Sequence, residues 1–296
     1  MTRLCLAFLL LAFCASAEQL EEHYADKGQL LIGHFESAPF PHPKRAEGHQ
    51  YKQELFSAKD HYSDSTVAIF IPKGFRETGK IDFVVHFHGW RNHVQGVLER
   101  YKLNEQLVAS KRNAVLIVPQ GPYDAPDSFG GKLEDTNGFK AFMTEACTLL
   151  KRQSALKEKD FALGRIILSG HSGGYQVISS ILDRGGLTEH VSEVWLFDAL
   201  YAQTDKFLAW LNSQHGRLLD MYTEHGGTKE ETEKLIATLK SRGHSYFAGK
   251  EEDADSALSG NRAIFMFSAL EHNDVVDKHD TFRKFLETSC LASNPP

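Results

Sequence analysis

The run Gly170-His171-Ser172-Gly173-Gly174 carries the sharpest chemical signal in this chain of 296 residues. A serine hydroxyl is a weak nucleophile until a neighbouring base takes its proton. A chain that uses one must therefore expose the side chain and bring an imidazole to it. A sharp strand-to-helix turn exposes the hydroxyl, and such a turn admits only small residues beside it. Gly170, Gly173 and Gly174 meet that need. Before the turn, Arg165–Leu168 reads as a short apolar strand; after it, Tyr175, Ile178, Ile181 and Leu182 recur at helical spacing. Ser172 is thus the candidate nucleophile, against the plainer reading of a glycine-rich turn with an idle serine.

A second run, His86-Phe87-His88-Gly89-Trp90, closes the apolar stretch Ile81–Phe87. Alternate strand residues share a face, so His86 and His88, with His93 nearby, form a rival metal set. No Asp or Glu follows at the spacing of hydrolytic zinc sites, and no metal or other cofactor is expected. Fifteen histidines supply many possible bases. The loop from Pro119 to Asn137 holds Tyr123, Asp127, Ser128 and Phe129 and leads off the strand Ala114–Val118. Loops on a rigid scaffold often carry specificity. Tyr123 and Phe129, together with His88, are candidate substrate contacts.

The elements that must hold these residues alternate regularly. Thr66–Ile71, Ile81–Phe87, Ala114–Val118, Arg165–Leu168, Val194–Phe197, Leu218–Tyr222 and Ala263–Ser268 read as strands. Helical spacing marks Val94 to Lys111, Phe139 to Leu150, Tyr175 to Leu182, Asp205–Leu211 capped by Thr204, and Val275–Leu286. Thr228 with Glu231 three residues on predicts a capping box opening a helix through Leu239. Continuously apolar strands alternating with helices predict an α/β domain with a mostly parallel central sheet and helices on both faces.

From about Thr66 to Leu286 the chain resembles the α/β-hydrolase superfamily of serine hydrolases, including esterases and lipases. The resemblance rests on the turn around Ser172 and on His88-Gly89 after the preceding strand. It implies an oxyanion hole built from the amides of Trp90 and Gly173, and a catalytic histidine between the last strand and the last helix. His272 stands there, with His279 as the competitor inside the expected helix. The acid commonly follows the penultimate strand, where Glu224 lies; some lipase branches place it after the preceding strand, where Asp198 lies. Asp198 abruptly ends the apolar run Val194–Phe197, unlike a routine solvated charge. Ser172, His272 and Asp198 form the preferred triad, with Glu224 as the alternative acid.

The bulk composition agrees. Hydrophobic residues make up 42%, enough for a sizeable core, and a net charge of −6 without a basic run argues against nucleic acid or anionic lipid as partners. Arg3, the apolar run Leu4 to Cys14 and Ala15-Ser16-Ala17 read as a signal peptide, cleaved before Glu18. That run is too short for a membrane span, and Phe13 is too bulky before Cys14 for a lipoprotein. The expected layout is a signal at 1–17, an N-terminal arm at 18–64 and the hydrolase domain at 65–296. The mature chain keeps Cys147 and Cys290, either paired or as separate thiols. These features predict an exported (periplasmic or secreted) hydrolase acting on a small-molecule or polymer ester. A peptidase, an amidase or a polysaccharide deacylase would use the same residues, and a silent binding protein would share the fold.

Overall fold

A strand that is apolar along its whole length has to be covered on both faces. Every residue of Thr66–Pro72 and of Val115–Pro119 is buried, so both belong inside a sheet. The computed structural model describes residues 18–214 and 216–294; the leader read at 1–17 lies outside them. In chain order the strands are β1 (Gly28–His34), β2 (His49–Tyr51), β3 (Glu54–Phe56), β4 (Thr66–Pro72), β5 (Lys80–Phe87) and β6 (Val115–Pro119). They continue with β7 (Ala162–His171), β8 (Val191–Phe197), β9 (Arg217–Thr223), β10 (Phe247–Lys250) and β11 (Ala263–Ser268).

β2 and β3 make a small separate hairpin, and the other nine strands form one sheet in the order β1-β4-β6-β5-β7-β8-β9-β11-β10. From β6 through to β10 every neighbouring pair is parallel, while β4 runs antiparallel to both β1 and β6. Successive strand residues point to opposite faces, so Val84 and Val85 enter different cores. One face is covered by the helices Gly138–Gln153, Tyr175–Arg184, Thr204–Ser213 and Lys229–Ser241. The other carries Val94–Tyr101, Leu103–Ser110 and Thr281–Glu287, whose Val97, Leu98, Leu107, Phe282 and Phe285 are buried there. Among the described residues no helix is long and apolar enough to cross a membrane.

The arm is partly sheet. Its residues Gly28–His34 pair along the whole of β4 as an edge strand. Farther on, Phe40, Phe56 and Tyr62 pack with Ala125 and Phe129 of the 119–137 loop in a third buried cluster. Arg45 clamps this contact, donating Nε and Nη2 to the two carboxylate oxygens of Asp127 at 2.7 and 3.1 Å.

Four expectations change. Thr204 is no cap: it lies inside the helix Thr204–Ser213, behind Gln203 at φ 63°, and its hydroxyl donates to Glu231. The helix read from Val94 to Lys111 is two, broken at Lys102, which adopts the left-handed conformation (φ 49°) between them. The last helix is only Thr281–Glu287, because His279 and Asp280 both take positive φ just before it. The capping box does not form: Thr228 makes no cap bond, its hydroxyl donates to Asp198, and Glu231 instead accepts from Thr204. Cys147 and Cys290 are separate free thiols.

Candidate active site

The carboxyl ends of β5, β7, β8 and β11 open on one side of the sheet, and the loops leaving them carry the chemical residues. Loops at this edge are where open parallel sheets build sites. β7 ends at His171, and Ser172 follows with φ 53° before the helix Tyr175–Arg184 begins. A left-handed serine is strained, and the strain is held by crowding that leaves no room for side chains around it. A Cβ at Gly170 would stand 2.7 Å from Ile178 Cδ1, and one at Gly174 would stand 2.7 Å from the Phe87 carbonyl oxygen.

The β5 loop presses directly on this turn. A Cβ on Gly89 would lie 2.5 Å from Ser172 Cβ, and one on Gly173 would lie 2.9 Å from Trp90 Cδ1 and 2.6 Å from Ser128 Oγ. Glycine at both positions lets the Gly89 backbone press on Ser172 and the Gly173 backbone sit against the Trp90 indole. The Trp90 indole, 41% exposed, donates to Ser128 Oγ at 2.7 Å. A cleft of about 510 Å³ opens above, lined by Trp90, Ser128, Ser172, Gly173, Tyr201 and His272 among others.

His272 leaves the end of β11 and donates Nδ1–H to Asp198 Oδ2 at 2.7 Å, which leaves the other ring nitrogen as the acceptor. Asp198, the residue after β8, is fully buried at φ 47°. Burial would raise its pKa, but hydrogen bonds from His272, Thr228 and Thr223 outweigh it and leave the carboxyl below its usual range. Thr223 supplies both its backbone N–H (3.3 Å) and its hydroxyl (2.7 Å), and the Thr228 hydroxyl completes the cradle. Gly226 closes over it: a Cβ there would fall 1.7 Å from Asp198 Oδ2.

His171 ties the base loop to the turn. Its Nε2–H donates to the His272 carbonyl oxygen at 2.9 Å, and its Nδ1 accepts from the Tyr101 hydroxyl at 3.1 Å. The two imidazoles lie 4.7 Å apart. Burial, then the neighbouring His272, push the His171 pKa down to about 3, so the ring stays neutral and keeps this donor–acceptor polarity. Tyr201 donates to the Gly226 carbonyl oxygen at 2.6 Å. Its phenol is pushed up to about 12 by burial and by Asp198, against an opposing hydrogen bond with Ser172.

The structure brings Ser172, His272, Asp198, Gly173 and Trp90 to one place. It separates the others. Glu224 is exposed and paired with Lys229 Nζ at 2.7 Å, while the carboxylate that His272 bonds is Asp198. His279 lies outside the last helix and bonds Glu251 at 2.9 Å. His88 has both ring nitrogens engaged, Nδ1 with the Gly89 carbonyl and Nε2 with the Gly121 amide; it shapes the loop from within rather than touching substrate. Tyr123 stacks on His93, and Phe129 is buried in the arm cluster; neither lines the cleft. The rival metal histidines also part company: His86 is fully buried against Ser169, and His93 bonds Asp124. His171, Tyr201 and Thr223 are supporting residues that sequence reading does not pick out, and Thr228 and Ser128 enter it only as a helix cap and a loop residue. Only His171, inside the serine motif itself, had a signal that could have found it.

No family model and no curated protein sequence matches the chain. Solved structures do. It is similar to a mutant feruloyl esterase module from Clostridium thermocellum complexed with sinapinate, at 9% identity over 88% of this chain and 89% of that one, with a TM-score of 0.52. It is similar to a fluorophosphonate-binding serine hydrolase of Staphylococcus aureus, at 11% identity over 89% and 99%, TM-score 0.52. A ferulic acid esterase matches at 12% identity over 88% and 99%, TM-score 0.53. The chain therefore has the α/β-hydrolase fold.

Proposed function

We propose that this fold serves as a serine ester hydrolase, with Ser172 as nucleophile, His272 as base and Asp198 as the acid that holds it. The observation that carries the reading is the 2.7 Å bond from His272 Nδ1 to a fully buried Asp198, with His272 and Ser172 lining one cleft. A carboxylate held low in pKa fixes the imidazole tautomer and stabilises the imidazolium that forms when the serine proton is taken.

Ser172 Oγ attacks the ester carbonyl, and its proton passes to His272 Nε2. Negative charge builds on the carbonyl oxygen, where the amides of Gly173 and Trp90 receive it. One such donor is worth about 3–4 kcal/mol in other hydrolases. His272 returns the proton to the leaving alcohol, and water then releases the acid from the acyl-enzyme with His272 again as base. The similar esterases and serine hydrolases support ester chemistry as the class. The leader at 1–17 supports an exported enzyme, cleaved before Glu18.

The test is labelling by a fluorophosphonate probe with turnover of p-nitrophenyl acetate. Wild type labels and turns over; Ser172→Ala does neither while keeping its circular dichroism. Labelling that persists in Ser172→Ala would falsify the assignment.

A further inference from the structure

The cleft over Ser172 has a charge character opposite to the molecule around it. The chain carries a net charge of −6, yet the lining of this cleft includes Arg91 and Arg100 and not one carboxylate. Asn92 and Asn273 lie on the same wall, and Trp90, Tyr175 and Tyr201 supply aromatic surface. Both arginines are exposed, and no ion pair joins either guanidinium to a carboxylate among the described residues.

Their placement is defined. Arg91, at φ 53° and anchored by its N–H to the Ala125 carbonyl oxygen, holds its guanidinium 5.5 Å from the Phe56 ring centre. Arg100 sits 5.7 Å over Tyr101 and reaches the Asn273 carbonyl oxygen at 3.4 Å. Asp277, within electrostatic range of it, lies outside the lining, as does Asp274, which is taken by Lys278 at 2.6 Å. Asp198, the one acid behind the base, is fully buried under four donors from three residues. A guanidinium stacked on an aromatic ring and left without a carboxylate presents a preorganised fork to a planar anion. Low-dielectric walls strengthen that attraction relative to open surface.

We propose that the esters this site prefers carry a carboxylate on the acyl part, which Arg91 and Arg100 receive while Ser172 attacks the ester carbonyl. The inference rests on the serine-hydrolase reading and adds the substrate class to it. Acyl transfer proceeds as above, with the second carboxylate taking no part in bond making.

The experiment compares two p-nitrophenyl esters of similar acyl length, the neutral butyrate and the monoester of glutaric acid. At low ionic strength kcat/KM for the glutarate monoester exceeds that for the butyrate by about tenfold, the scale of one charge-assisted contact. The ratio falls as salt rises through the range that screens charges. In the double variant Arg91→Gln/Arg100→Gln the ratio drops to one or below. Free glutarate inhibits the wild type competitively, which needs no variant to fold. A wild-type ratio of one or less at low salt overturns the substrate class while ester turnover upholds the hydrolase. A ratio that survives in the folded double variant overturns the role of the arginines. Loss of turnover of both esters by folded wild type, with no fluorophosphonate labelling, brings down the hydrolase reading and this inference with it.

Discussion

Two carboxylates stand near opposite ends of one strand and are buried almost equally, yet their partners differ in kind. Glu193, near the start of β8, accepts from Arg217 at 2.9 Å, from the Trp195 indole at 2.9 Å and from the Cys290 backbone N–H at 2.6 Å. Asp198, just past the end of the same strand, accepts from two threonines and from His272. Every partner of Glu193 is a fixed donor that keeps its proton, so that cluster closes on itself and joins β8, β9 and the C-terminal segment. One partner of Asp198 is an imidazole with its second nitrogen free to accept, beside an exposed cleft. Burial and a full set of hydrogen bonds thus do not by themselves mark a carboxylate as catalytic; what sets Asp198 apart, and supports the role proposed for it, is a partner that can carry a proton onward.

The contrast is broken or sharpened by substitutions at four positions, taken from the largest effect down. Asp198→Asn should lower kcat by about 10³- to 10⁴-fold, since an amide holds the imidazole in the wrong tautomer. The folded state should persist, because the Thr223 backbone N–H and the Thr228 hydroxyl still have an acceptor in the Asn carbonyl oxygen. Steady-state kinetics beside a thermal melt separate the two. Glu193→Ala should do the reverse, costing about 3–5 kcal/mol of stability by stranding Arg217 without its charge partner. Denaturant unfolding reads that loss, while kcat per folded molecule stays near wild type. If Glu193→Ala removed activity without destabilising, the distinction between the two ends of β8 would collapse.

His171→Phe removes the donor to the His272 carbonyl oxygen and should lower kcat by about tenfold with little change in KM. His171→Gln, which keeps a side-chain N–H, should recover part of the loss; equal damage by both would assign His171 to packing alone. The smallest effect concerns Asp220, fully buried in β9 with one oxygen bonded to Thr232 and the other without a partner. Burial, with Asp198 adding to it, raises this carboxyl from 3.8 to about 7 against the Thr232 bond. The folded state therefore holds a proton that the unfolded chain has lost. Its stabilising contribution is full below pH 3.8 and disappears as pH rises through about 7. Asp220→Asn should leave the melting temperature unchanged near pH 4 and raise it by a few degrees at pH 8. An equal shift at both values would mean the carboxyl does not titrate there.

Much of the scaffold is legible because its determinants are local. All-apolar strand runs, helical spacing and the glycines around Ser172 each act within ten residues of themselves, and the strand–turn–helix at Ser172 follows from them. What escapes reading is nonlocal. Thr228 has the sequence pattern of a helix cap, but a carboxylate thirty residues away takes its hydroxyl. Phe129 has the size and polarity of a pocket wall, and the arm's Phe40 and Tyr62 bury it from outside. Glu224 and Asp198 both end strands at the same sheet edge; a lysine five residues on claims Glu224, and nothing in spacing announces that. The breaks at Lys102 and before the last helix turn on left-handed residues that are not glycine, which composition cannot flag.

The dependence of the base on β11 also sets a timetable for synthesis. Ribosomes deliver the chain from the N-terminus, so the arm, the Trp90 loop, the Ser172 turn and Asp198 emerge in that order, and His272 comes last. A chain halted anywhere before β11 would carry a serine with no imidazole and a buried acid with nothing to hold. The His171 tie also waits for the His272 carbonyl oxygen, so β11 and the loop after it complete the proposed site. A chain of this design gains its proposed base only once the loop after β11 has been made.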